Sequence, residues 1–449
     1  MRVGCATVEM TPAAGLPLMG NFRDDYAARG VHDPLKAKAV VFADPFGAKA
    51  AVLALDICML DRTNVARIRE SVLRECGVPP AHVLVHAIHT HSAPAPNDRY
   101  AFGFDLTPHL SEIDALLVKA ASAVALAERD LAEADLAVGY AREERVAFNR
   151  RLRRRDGSTQ MNWEALQPGF NPREIAGPWG TTDPQLTCLV IERGGRPHAA
   201  VVNFGLHPAV LAGDNWLYSA DYPGYLAEAL GRTLGSRFTS LFLNGCCGNV
   251  NHVDYRDPLQ GRGYKMAERI GYMLAAAAHE AISARQPVSA DRIAVSSENV
   301  ALDRIPIPPD EFRRCEAILE ETRRNPARGQ VDGLPEAYFA DLRVRMHREQ
   351  DTPLEAEVMA IRLGEVSLVG LPGEIFCESG LEIKRLSPAR HTLVAELAND
   401  AVGYVPTRES FAQGGYETTV GSTLVREDSA QRLVASALRQ LGYGSKGQS

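Results

Sequence analysis

The chain of 449 residues has no uninterrupted apolar run of about 18 residues, the length a membrane-spanning helix needs, so no helical span is expected. It has no basic excess. Forty-nine Lys and Arg stand against 56 Asp and Glu, for a net charge of −7, which argues against nucleic acid or an anionic membrane surface as a partner. Its start, Met1-Arg2-Val3-Gly4-Cys5-Ala6-Thr7-Val8-Glu9-Met10-Thr11-Pro12, has no apolar stretch of signal-peptide length and is read as a first strand. Eight cysteines, at positions 5, 58, 76, 188, 246, 247, 315 and 377, form no Cys-x-x-Cys pair. Most lie among apolar neighbours, where a thiol behaves as a small hydrophobe. That usage predicts a reducing compartment and a cytoplasmic protein. No repeat or low-complexity segment is visible.

What is present is the composition of a globular protein, 45% hydrophobic and 23% charged. The patterning alternates strands and helices, which predicts an α/β fold with a mixed sheet. Ala37–Ala43 and Ala48–Met59 read as strands joined by Asp44-Pro45-Phe46-Gly47. Asp56 inside the second run reads either as a turn residue or as a partner behind a site. Arg62–Cys76 has helical spacing, Glu112–Gly139 reads as one long helix, and Pro168–Thr182 as a long loop. Residues 300–350 change to charged helical segments, expected to form an insertion or cap within a single domain spanning 1–449. Glu374–Leu386 reads as a helix with Glu374 at its start, where the dipole favours a carboxylate.

The chemistry concentrates where apolar runs end in polar residues followed by breakers. His82–His91 reads as a strand carrying His89-Thr90-His91, closed by Ser92-Ala93-Pro94. Side chains two apart share one face, roughly 6.6 Å apart along a strand, so both imidazoles can address one metal ion or one substrate. Asn203-Phe204-Gly205-Leu206-His207-Pro208 repeats the pattern, and Val366–Leu371 before Pro372-Gly373-Glu374 gives a third run ending in a ligand type. Asp221 precedes a helix start, as a cap or a site residue. Tyr404 and Tyr416 lie in glycine-rich segments.

Together these segments resemble the neutral (non-lysosomal) ceramidase family and its bacterial relatives. The similarity rests on Thr11-Pro12, Gly30-Val31-His32-Asp33-Pro34-Leu35, His89–Pro94, Phe148-Asn149-Arg150 and His207. It continues through Ser219–Gly224, Gly248-Asn249-Val250-Asn251, Leu371–Glu374, Gly403–Thr407 and Gly415-Tyr416-Glu417. The order is the family's across nearly the whole chain.

The resemblance implies zinc and cleavage of a C–N amide bond by attack of metal-bound water. By matching motifs the ligands would be His89, His207, Glu374 and Tyr404, with His91 the alternative to His89. The one not bound would lie over the water or the substrate carbonyl. Catalytic roles fall on His91, Arg150, Asn251 and Tyr404, and substrate-side positions on Arg150, Asn249, Asp221 and Tyr416.

One departure matters. The family pattern Gly-Asp-Val-Ser-Pro, whose serine has been assigned as nucleophile, reads here Gly248-Asn249-Val250-Asn251-His252. A carboxamide is no nucleophile, but it can donate to a developing oxyanion. The family's carboxy-terminal immunoglobulin-like domain has no room after residue 449. The expected substrate is therefore a small soluble amide rather than ceramide. A homodimer is a common state for such enzymes.

Three rival readings fit parts of the same sequence. One is a cysteine hydrolase using Cys246 or Cys247 beside His252. Another is an amidohydrolase barrel, disfavoured because eight βα repeats are not seen. The third is a ligand-binding relative without activity.

Overall fold

The computed structural model describes residues 1–442 apart from residue 24 and residues 97–105, 326–329 and 332–333. It is a mixed α/β protein built around three main sheets of five, five and four strands among the described residues. In the first, β1 (Arg2–Glu9), β2 (Lys36–Ala43) and β3 (Lys49–Leu55) form an antiparallel meander. The Asp44 carboxylate closes the second turn by accepting from the amides of Phe46 and Ala48, and Gly47 supplies the left-handed φ of 94°. Helix α1 (Arg62–Cys76) is capped by the Asp61 side chain and ends at Gly77 in the left-handed region. It returns the chain to β4 (Val83–Ala87), which pairs parallel to β3, and α2 (Leu110–Arg129) then covers the sheet.

The second sheet repeats this order. β5 (Asp135–Arg142), β6 (Gln185–Arg193) and β7 (Arg196–Phe204) form a meander. Helix α3 (Tyr222–Leu234) crosses to β8 (Thr239–Asn244), parallel to β7, and α4 (Tyr264–Ser283) follows. The third sheet does the same. It runs β9 (Ile293–Leu302), α5 (Pro309–Arg324), α6 (Glu336–Glu349), β10 (Leu354–Leu363), β11 (Val366–Gly370), α7 (Cys377–Leu386), β12 (His391–Ala395), parallel to β11, and α8 (Ser429–Leu441). Helices α5 and α6 pack on each other through Cys315, Ile318, Ala340 and Val344 and lie between two strands that are sheet neighbours.

Several elements differ from expectation. The helix expected over 112–139 stops at Arg129, and 135–142 is strand β5. Alanine and leucine suit either state, and tertiary packing decides: Gly139 lies so close to α4 that a Cβ there would stand 1.8 Å from the Ala281 carbonyl. The strand expected to 91 ends at Ala87, because His89 adopts φ 71° and breaks the alternation. The side chains of His89 and His91 are therefore not placed by a pleat. Glu374 is not in a helix; Glu374–Ile375 pairs with Tyr404–Val405 before α7 begins. The loop at 168–182 contains the strand Ile175–Pro178. Asp56 accepts from the Lys36 amide and lies near Lys38.

Candidate metal centre and its cavity

In each sheet the two parallel strands open into loops at their carboxyl ends, and these loops meet. From the first sheet, His89 follows β4. Its amide donates to the Ile57 carbonyl, and its Nδ1 donates to the Cys58 carbonyl at 2.8 Å. From the second, His207 follows β7 and donates from Nδ1 to the Cys247 carbonyl at 2.9 Å. From the third, Glu374 follows β11, its amide held by Gly403.

With both Nδ1 protons committed outward, both Nε2 atoms present lone pairs, and they face each other at 3.0 Å. Glu374 Oε2 lies 3.2 Å from each and receives no hydrogen bond. Three acceptors that close, all nearly inaccessible to solvent, repel unless a cation lies among them. Ligand atoms about 2.0–2.1 Å from a tetrahedral ion stand about 3.3 Å apart, so the spacing fits a metal such as zinc. The Tyr404 hydroxyl lies between the Glu374 carboxylate and the Arg150 guanidinium.

His91 completes a ring of imidazoles. Its Nδ1 faces Asn21 Oδ1 at 3.2 Å, and because the Asn21 amide nitrogen donates to Leu211, that oxygen must accept. His91 Nε2 is therefore unprotonated too and lies 3.2 Å from His89 Nε2. Gly20 allows this placement, since a Cβ there would stand 2.4 Å from the His91 ring.

Two neighbouring trios, Cys58 with His89 and His91 and His207 with Cys247 and Glu396, are spent otherwise. They would need Nδ1 atoms already donating to carbonyls. The Cys247 thiol donates to Glu396 at 2.9 Å.

Beside this cluster lies a cavity of about 350 Å³ bordered by His91, His207, Tyr404, Tyr416, Arg150 and Trp163. Arg150 is buried. Its Nε binds Glu417 Oε1 at 2.6 Å, its guanidinium carbon lies 5.3 Å from the Trp163 and Tyr404 ring centres, and its Nη2 has no partner.

The other expected residues fall elsewhere or are engaged. Asp221 is fully buried, and its carboxylate accepts from the amides of Val210, Leu211 and Tyr222. It holds the turn before α3 and does not line the cavity. Asn249 is spent on Glu378 and the Cys377 amide and does not line it either. Asn251 lines the cavity, but its amide exchanges two hydrogen bonds with Asn162. Burial pushes the Cys246 and Cys247 thiols well above their ordinary range, the opposite of what a thiolate nucleophile requires.

Motif and pattern did not point to Gly20, Asn21, Trp163 or Tyr338, and they placed Glu417 in a motif without giving it a role. Of these only Glu417 leaves a trace in sequence: two adjacent arginines, Arg150 and Arg151, in a buried segment require a carboxylate, and both pair with Glu417.

Residues 1–301 match the family model described as neutral/alkaline non-lysosomal ceramidase, N-terminal. The chain is 26% identical over 232 residues to neutral ceramidase B of Dictyostelium discoideum, a match covering 50% of this chain and 30% of that protein. With the neutral ceramidase of Mycobacterium tuberculosis it shares 23% identity over 94% of this chain and 74% of that one. The solved structure of neutral ceramidase from Pseudomonas aeruginosa superposes with a TM-score of 0.74 at 20% identity, covering 98% of this chain and 74% of that one. The stretch matched in the Dictyostelium protein is thus less than a third of that protein's length.

Proposed function

The chain belongs to the neutral/alkaline non-lysosomal ceramidase family, and from that premise we propose that it is a zinc-dependent amidohydrolase cleaving the C–N bond of a small soluble amide. One observation carries the proposal: His89 Nε2, His207 Nε2 and Glu374 Oε2 converge within 3.0–3.2 Å while both imidazoles turn Nδ1 to a backbone carbonyl. These three, with the Tyr404 hydroxyl, would hold the ion. When bound, zinc supplies Lewis-acid polarisation of a carbonyl and lowers the pKa of water to about 7.

The chain's own residues account for the rest. Water adds to the carbonyl carbon, forming the new C–O bond. His91, oriented by Asn21 and Gly20, accepts the water's proton at Nε2. Arg150 and Tyr416 border the cavity on the side where the carbonyl oxygen would gain charge. Collapse breaks the C–N bond as His91 returns the proton to the leaving amine, releasing a carboxylic acid and an amine.

Turnover of N-acyl amides should stop on chelation, return when zinc is restored, and survive thiol alkylation. Activity indifferent to chelation but lost on alkylation would overturn the proposal in favour of Cys246 or Cys247.

A further inference from the structure

His252 occupies the position after Asn251 and has no part in the chemistry above. It is 4% exposed, faces the Gly261 carbonyl without ordinary hydrogen-bond geometry, and has no hydrogen bond on either ring nitrogen. The ring borders both the 350 Å³ cavity and an adjoining one of about 80 Å³. A buried polar group without a partner is costly, so the ring is poised for a group that the cavity receives. Arg262, exposed and paired with Asp214 at 3.0 Å, borders the same cavity. Among the described residues, those lining this cavity include two arginines and no Asp or Glu. At its floor Arg150 and Arg151 share the single carboxylate of Glu417. The lining thus offers cationic side chains and no carboxylate to an anionic group, whereas a neutral lipid amide would need no such charge.

We propose that the substrate amide carries a carboxylate, as an N-acyl amino acid does, and that His252 and Arg262 bind it while Arg150 serves the scissile carbonyl. The inference rests on the amide-hydrolase function proposed above. Burial pushes His252 down to about 4, so at neutral pH the ring is uncharged and carries one N–H to donate. Arg262 adds a charge-assisted pair from the mouth.

The test uses the zinc-loaded full chain. It compares kcat/KM for N-acetylglycine, N-acetyl-β-alanine and N-acetyl-γ-aminobutyrate with that for N-acetyl alkylamines of matching length. The best carboxylate substrate should exceed its neutral counterpart by at least about tenfold. That ratio should fall towards one in His252→Phe and in Arg262→Gln, with zinc content unchanged. The exposed Arg262 provides the comparison should the buried His252 substitution fold poorly. Neutral amides cleaved as fast as the acids, or a ratio unmoved in Arg262→Gln, would overturn the inference and leave the amide hydrolase standing. Cleavage of neither series by zinc-loaded protein would overturn both.

Discussion

His89 holds φ 71°, a conformation that disfavours a side chain by roughly 1–2 kcal/mol. That strain aims Nε2 at His207 rather than along the pleat of β4. Gly20 does the complementary work for His91. Gly20→Ala should leave metal content intact while lowering kcat about 10–100-fold, because the added methyl would displace the His91 ring. Unchanged turnover would show that His91 needs no fixed position. His252 offers a test by pH. Its folded value of about 4 lies below the ordinary histidine value of about 6.5, so the unfolded chain takes up the proton first as pH falls. Stability from this group is therefore present above pH 6.5 and lost on descent towards 4. Between pH 5 and pH 7 the stability of the wild type relative to His252→Phe should rise by about 2 kcal/mol, from about 1.4 kcal/mol per pH unit. Urea midpoints on metal-free protein read this directly; a difference independent of pH would place His252 in contact with water.

Glycine contacts fix how strands meet helices. A Cβ at Gly4 in β1 would stand 1.9 Å from the Ala127 carbonyl of α2, and one at Gly139 in β5 would stand 1.8 Å from the Ala281 carbonyl of α4. In the third sheet Ser296 of β9 sits in the corresponding place and donates to the Gln440 carbonyl of α8. Gly139→Ala should destabilise by about 1–3 kcal/mol in urea unfolding; an unchanged midpoint would contradict so close an approach. This contact also explains which elements were legible. Helix α1 was readable because Asp61 caps it and Gly77 stops it, both local signals. β5 was not, because what keeps it out of α2 is α4, more than 120 residues on. Likewise an apolar run closed by His207-Pro208 or Pro372-Gly373-Glu374 shows in sequence, whereas the positive φ of His89 leaves no such mark. Asp221 and Asn249 sit in motif segments beside the site, but position along the chain does not reveal that their polar atoms are spent on backbone amides and Glu378.

Across the whole molecule one order of elements recurs three times, over 2–129, 135–283 and 293–441: three antiparallel strands, a helix, a parallel fourth strand and a closing helix. The sequence shows no repeat, because shared topology asks only for matching apolar patterns. The longest excursions fall at the same step, between the first and second strands. They supply Gly20, Asn21 and Phe22 from the first unit, Arg150 and Trp163 from the second, and Tyr338 from the third, all bordering the site. The metal donors come from the strand-end loops, one set per unit. A site assembled from three units in this way is complete only when all are folded and docked. This is why individual ligand types were legible in sequence and their convergence was not.

The most direct test is the metal content of protein purified without chelator or nickel affinity, set beside the His89→Ala/His207→Ala variant. The account predicts about one zinc per chain in the wild type and none in a folded variant. No metal in the wild type, or equal metal in both, would contradict it.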